Sequence, residues 1–237
     1  MVLKYQEIAN SLADKVNNHE YTDKLPSEGE LMTEYGASRN TIRNSLDILY
    51  NQGLIKRIQG SGYFVNTALH GEDYVMNLAN KVGMNSLGVK YPITSQVLKL
   101  ESIEADEKLA EILECEVGAP VYYIQRLRHS NNKLYALEKT YYLKEFIPYL
   151  SKEICEKSIF KFIIENYHIS IKNADEYVTI YNLSDEEAKI TDRESGSPTI
   201  RIEELNYLKN ERPFNYSRTC YFQDDLTIYY HVNNYLN

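Results

Sequence analysis

Tryptophan is absent from this chain of 237 residues, and cysteine, proline and glycine are sparse at 3, 6 and 10. Cys115, Cys155 and Cys220 are odd in number, far apart and without C-x-x-C spacing, which speaks against a disulfide framework and against a zinc site. No apolar run approaches the roughly 20 residues a membrane span needs, and the opening MVLKYQEIAN lacks the apolar stretch of a signal peptide. The expectation is a cytoplasmic protein without a membrane partner. The histidines at 19, 70, 129, 168 and 231 show no H-x-x-x-H or His–Cys clustering, and neither a G-x-S-x-G elbow nor a phosphate-cradling glycine loop occurs. Glu203–Glu204 and Asp224–Asp225 are adjacent pairs, so on a strand they point to opposite faces and make no catalytic dyad. No enzyme, no metal and no cofactor is expected.

What the chain does have is tyrosine, 22 of them against 6 Phe, with most beyond Tyr91. A broad apolar ring with a polar tip suits half-buried sheet faces, interfaces and polar-ligand pockets. The formal net charge is −8. Within residues 38–65, however, Arg39, Arg43, Lys56 and Arg57 face only Asp47. One basic patch on an acidic body indicates a localised docking surface rather than general polyanion coating.

That patch falls in a recognisable pattern. Ile8, Leu12 and Val16 recur every four residues, giving a first amphipathic helix over about Lys4 to Asn18. In KLPSEGEL, Pro26 ends what precedes it, Ser27 is a natural N-cap and Glu30 completes a capping box, so a second helix starts there and stops at Gly36. Ser38 caps a third, running until Gly53, with Ile42, Ser45, Leu46 and Leu49 on its core side and Arg39, Asn40, Arg43, Asn44 and Asp47 on its polar side. LIKRIQGSGYFV is then a β-hairpin with a glycine-permitted tip. Three short helices and a hairpin describe a winged helix-turn-helix. Its third helix enters the DNA major groove and its wing lies along neighbouring phosphates. Arg39 and Arg43 present planar donors suited to phosphate or to guanine, and Asn40 the paired donor and acceptor that match adenine.

The run YQEIANSL…LPSEGELMTEYGASRNTIRNSLDILYNQGLIKRIQGSGYFV, nearly all of residues 4 to 65, resembles the DNA-binding domain of the GntR family of bacterial transcription regulators. The resemblance implies DNA-facing roles for Ser27, Ser38, Arg39, Asn40, Thr41 and Arg43, and for Gln59, Gly60 and Ser61 in the wing. Gly29, Ser45 and Tyr63 stand where that family usually has Arg or Asn, Ala, and Thr.

Residues 66 to about 88 mix small, polar and glycine residues with little periodicity and read as a linker. Beyond it, SQVLKLESIEA reads as a strand, DEKLAEILE as a helix from Asp106, and GAPVYYIQRLRHSNNKLYALEKTYYL as two long strands about a Ser130–Asn131–Asn132 turn. KSIFKFIIENYH is a helix, followed by strands in NADEYVTIYN, SPTIRIEELNYLKN and RPFNYSRTCYF, with a last one in DLTIYYHVNNYL. Hairpin-length connections make this an antiparallel α+β sheet, with no internal repeat evident. Alternation places Arg126 and Arg128 on one face with Tyr122 and Ile124. An odd-length loop puts Glu138 on that same face, whereas a two-residue Asn131–Asn132 turn puts it on the other.

This half is similar to the UTRA domain, the chorismate lyase-like effector-binding module of the HutC branch of GntR regulators. Arg126, Arg128, Glu138, Ser158, and Asn215 and Tyr221 of PFNYSRTCYF fall where that branch's pocket residues lie, and Thr94 and Ser95 add hydroxyl or backbone donors. In the closing segment Asn215, Thr219, Phe222 and Asp225 replace Glu, Ser, Arg and Arg of the branch's usual pattern. The chain is thus expected to have a winged helix-turn-helix at 1–67, a linker at 68–88 and a UTRA domain at 89–237. By the same resemblance it is a homodimeric repressor that binds double-stranded, pseudo-palindromic operator DNA and is controlled by a small-molecule effector, best matched by a sugar phosphate. A chorismate lyase-like enzyme and a dimerisation-only module are the rival readings of the second half.

Overall fold

Ser27 and Glu30 close the capping box at the start of α2 (Glu28–Tyr35): Ser27 Oγ accepts from the Glu30 amide, and the Glu30 carboxylate accepts from the Ser27 amide. Gly36 ends this helix in the left-handed conformation at φ 55°. With α1 (Lys4–Asn17) and α3 (Arg39–Asn51), α2 packs around Leu12, Val16, Leu31, Ile42, Leu46 and Leu49, all fully buried. Spacings of three and four among these residues make α1 and α3 amphipathic, and α2 contributes Leu31 alone. Strands β1 (Ile55–Ile58) and β2 (Gly62–Val65) pair antiparallel, and Gly60 and Gly62 take φ values of +76° and +108° at the tip. The computed structural model describes residues 3–67, 75–80 and 92–232.

A short parallel ladder completes this unit. β3 (Val75–Asn77), within the stretch expected to be featureless linker, pairs with β10 (Thr227–Tyr229) from the end of the chain. Asn66 Nδ2 donates to the Gly53 carbonyl at 2.9 Å and to Tyr229 Oη at 3.0 Å, Asn77 Nδ2 donates to the Gln52 carbonyl at 2.7 Å, and His231 sits edge-on to Tyr50 with ring centroids 5.4 Å apart. The chain from Asp225 therefore groups with residues up to Lys90, whereas Tyr91–Asp224 forms the second unit. Assigning everything from residue 89 to one domain by sequence misses this return, because a three-residue strand carries no periodicity and its partner lies far away in the chain.

In the second unit a six-stranded antiparallel sheet has the order β4-β5-β6-β9-β8-β7. Its elements are β4 (Ile93–Glu104), α4 (Glu107–Leu113), β5 (Pro120–Ser130), β6 (Lys133–Leu143), β7 (Ile171–Asn182), α7 (Asp185–Thr191), β8 (Pro198–Leu208) and β9 (Pro213–Tyr221). The second four repeat the first. β4 and β7, α4 and α7, and β5 and β8 each start at a constant offset of 78 residues, and the helices are capped alike by Asp106 and Ser184. No repeat is evident in the sequence because the two copies share the punctuation, G-x-P before the second strand, but not the side chains on the sheet. α5 (Lys152–Cys155) and α6 (Ile159–Tyr167) lie between the copies and cover one face of the sheet through Cys155, Ile159 and Ile163 against Val97, Ile124, Tyr142 and Phe214. α4 and α7 sit on the opposite face, on Val121 and Tyr216 and on Leu137 and Cys220 respectively.

Gly53 offers a direct test of the tail's docking. It holds φ +68°, and a Cβ there would lie 2.7 Å from Tyr229 Oη and 2.8 Å from the His231 Cβ. Gly53→Ala is expected to cost at least about 1–2 kcal/mol through the left-handed backbone alone. Limited proteolysis should then cut the segment after Asp225 faster than in the parent protein.

A buried arginine pair and an exposed helix face

Arg126 and Arg128 on β5 and Glu138 on β6 are all buried, at 2%, 6% and 7% exposure. Arg126 Nη2 donates to Glu138 Oε1 at 2.5 Å and Arg128 Nε to Glu138 Oε2 at 2.8 Å, so a single carboxylate is shared by two guanidiniums. Arg128 Nη1 also reaches Ser95 Oγ on β4 at 2.8 Å, and Arg126 Nη1 donates to the Cys155 carbonyl at 2.7 Å in α5. Burial opposes ionisation of Glu138, but the two guanidiniums beside it outweigh burial and hold its carboxyl down at about 2.

The register that assembles this cluster departs from both sequence alternatives. The turn has two residues, Asn131 and Asn132, each in the left-handed region at φ 50° and 60°, as a type I′ hairpin requires. Such a turn alone would put Glu138 on the far face. A bulge restores it: Ser130 pairs with Lys133 and His129 with Leu134, but Arg128 pairs with Ala136, leaving Tyr135 as the extra residue and Arg126 opposite Glu138. Tyr135 is 1% exposed and meets Tyr221 edge-on, with centroids 5.7 Å apart, so a buried aromatic contact fixes the bulge.

The other expected pocket residues divide. Ser95 joins the cluster. Thr94 does not: it is exposed and one residue out of phase, on the opposite face. The Ser158 hydroxyl accepts from the Lys161 amide as the cap of α6. Asn215 shares the arginine face but belongs to a neighbouring network, donating to Thr140 Oγ1 at 2.8 Å and accepting from Asn206 Nδ2 at 3.0 Å. Tyr221 is buried against Tyr135. Sequence reading misses Cys155, whose contribution is a backbone carbonyl, and the Glu204–Asn206 pair, joined at 2.6 Å. A backbone acceptor carries no residue signature, and the link from this pair to Asn215 shows itself only once β8 lies beside β9.

In the first unit, Ser38 caps α3 through the Thr41 amide, leaving Arg39, Asn40 and Arg43 exposed along one side, with Gln59, Gly60 and Ser61 exposed at the hairpin tip. Both arginines are tied to Glu28 of α2, Arg43 Nε at 3.0 Å and Arg39 Nε at 3.9 Å. Glu28 stands beside the cap Ser27, where sequence shows it only as a helix-starting acid. These pairs are solvent-exposed, where screening by water leaves them weak.

Residues 4–65 match the model for bacterial regulatory proteins of the gntR family, and residues 89–227 match the UTRA domain. The chain belongs to the GntR family. It is a DNA-binding transcription regulator of the HutC type, with a UTRA domain in its second half. The HTH-type transcriptional regulator YydK of Bacillus subtilis (strain 168) is 31% identical over 99% of this chain and 100% of YydK. Its crystal structure superposes with a TM-score of 0.77, covering 98% of this chain and 100% of that one. The repressor NagR of Bacillus subtilis is 28% identical over 97% of this chain and 94% of NagR, and MngR of Escherichia coli (strain K12), the mannosyl-D-glycerate transport/metabolism system repressor, is 28% identical over 93% and 92%.

Glu138→Gln keeps the shape but leaves two buried guanidiniums without a carboxylate, and should destabilise the second unit by about 3–5 kcal/mol in urea unfolding. Because the carboxyl is held below its ordinary value, its contribution is complete above the unfolded pKa of roughly 4.3 and is lost as pH falls towards 2. The acid limb of the stability curve between those values should therefore be shallower in Glu138→Gln.

Proposed function

We propose that this regulator is a homodimeric repressor whose operator is pseudo-palindromic and whose effector is a sugar phosphate bound at the arginine cluster. The observation that supports the effector class is the charge balance of that cluster: two buried guanidiniums, one carboxylate and a serine hydroxyl leave one positive charge for an anion to neutralise. A repressor named for mannosyl-D-glycerate transport and metabolism among the relatives supports a sugar-derived ligand. The relatives are regulators, which favours effector binding over catalysis in the second unit.

For DNA, Arg39, Asn40 and Arg43 read the major groove from α3, with Ser27, Ser38 and Thr41 beside the phosphates and Gln59, Gly60 and Ser61 along the flanking backbone. Glu28 holds the Arg43 fork in the free protein, and DNA replaces that weak pair. Two-fold pairing places two α3 helices about one helical turn apart, and the effector acts by its differential affinity for DNA-competent and incompetent states. Arg43→Ala should weaken operator binding by about 1–3 kcal/mol while leaving effector affinity unchanged, read by fluorescence anisotropy and calorimetry. In a thermal-shift screen of phosphorylated against free sugars, a sugar phosphate at 100 times its dissociation constant should stabilise by about 2.7 kcal/mol. The shift should disappear in Arg128→Gln. A free sugar shifting as strongly as its phosphate would refute the phosphate assignment.

A further inference from the structure

The face of the sheet opposite the arginine cluster carries a polar band that the effector site does not use. Lys99, Gln125, Lys139, Arg218 and Glu203 are register partners in turn across β4, β5, β6, β9 and β8, so all five project from one face between α4 and α7. Lys139 and Arg218 stand directly opposite each other on neighbouring strands, a like-charge pairing that disfavours a sheet unless something answers it. Lys139 is answered by Glu187 at 2.7 Å, Lys99 by Glu186 at 3.8 Å and Arg201 by Glu203 at 2.7 Å. Among the described residues Arg218 has no carboxylate within ion-pair distance. Its Nη2 donates to Tyr141 Oη at 3.0 Å, and its buried Nε has no acceptor. Gln125, at 0% exposure, has neither its amide nitrogen nor its amide oxygen paired. A buried amide left unpaired is costly, so the Gln125 side chain is a donor and acceptor open to a partner. Beside this row Tyr123, Tyr141 and Tyr216 form a shelf, with successive centroids 5.2 and 6.0 Å apart.

We propose that this band is a second ligand site, distinct from the arginine cluster, for a small organic oxyanion, a carboxylate or phosphate carried on a ring or polyol. The oxyanion pairs with Arg218, the Gln125 amide hydrogen-bonds its polar body, and the tyrosine shelf carries its flat face. A ligand here touches β5, β6 and β9, the strands that also carry Arg126, Glu138 and Asn215 on the other face. Occupancy of the two sites is thereby coupled through one sheet.

Equilibrium dialysis of the full chain with inorganic phosphate, and separately with gluconate, tests the assignment in the parent and in Arg218→Gln, Gln125→Leu and Arg128→Gln. The expected result is an anion whose binding weakens at least about tenfold in Arg218→Gln and persists in Arg128→Gln. Should Arg218→Gln fail to fold, Gln125→Leu supplies the reading: it removes the unpaired amide at similar volume, and should unfold at higher temperature while binding the anion more weakly. Binding abolished only by Arg128→Gln, no binding of either probe, or a Gln125→Leu protein that is stabilised with unchanged affinity would each overturn the second site. Binding lost only in Arg128→Gln would place the anion at the arginine cluster instead, so the variant that loses binding tells the two sites apart.

Discussion

One carboxylate between two buried guanidiniums governs the second half of this molecule. Glu138 is reached by Arg126 and Arg128 only because Tyr135 bulges out of register in β6. Arginine and glutamate are seldom enclosed without one another, so the bulge, the hairpin turn and the seating of α5 on Arg126 are consequences of the same requirement. The cluster answers its own charge incompletely, with two guanidiniums to one carboxylate. The six strands around it are the frame that keeps three ionic side chains in place.

Local chemistry made the first half readable. A capping box, a glycine stop, a serine cap and a glycine-tipped hairpin are each decided within a few residues, and each stands where the pattern puts it. Long strands were equally visible, since alternation and β-branched or aromatic content persist over ten residues or more. What stayed hidden depends on distant parts of the chain. The Tyr135 bulge is stabilised by Tyr221, the Thr94 side chain is turned outward by its phase against β5, and α5 and α7 are too short to show a period. The repeated half-sheets are not legible in the sequence because only turn residues repeat.

That duplication organises both faces. Where the two copies meet, β6 lies against β9, with Glu138 beside Thr219 on one face and Lys139 beside Arg218 on the other. Each copy contributes one small helix to the face away from α5 and α6, α4 on Val121 and Tyr216 and α7 on Leu137 and Cys220. The two copies differ in their side chains, so where they meet one face carries an ionic cluster and the other a polar band with three tyrosines.

The pairing of β10 with β3 has a consequence for how the chain comes to be folded. Thr227 meets Val75 about 150 residues later in synthesis, and such a closure is entropically slow compared with the local contacts of three short helices. The three-helix core is complete long before Tyr229 and His231 exist to cover Gly53 and Tyr50. A nascent chain that has not reached Thr227 therefore carries a three-helix core whose Gly53 and Tyr50 still lack the cover that Tyr229 and His231 provide.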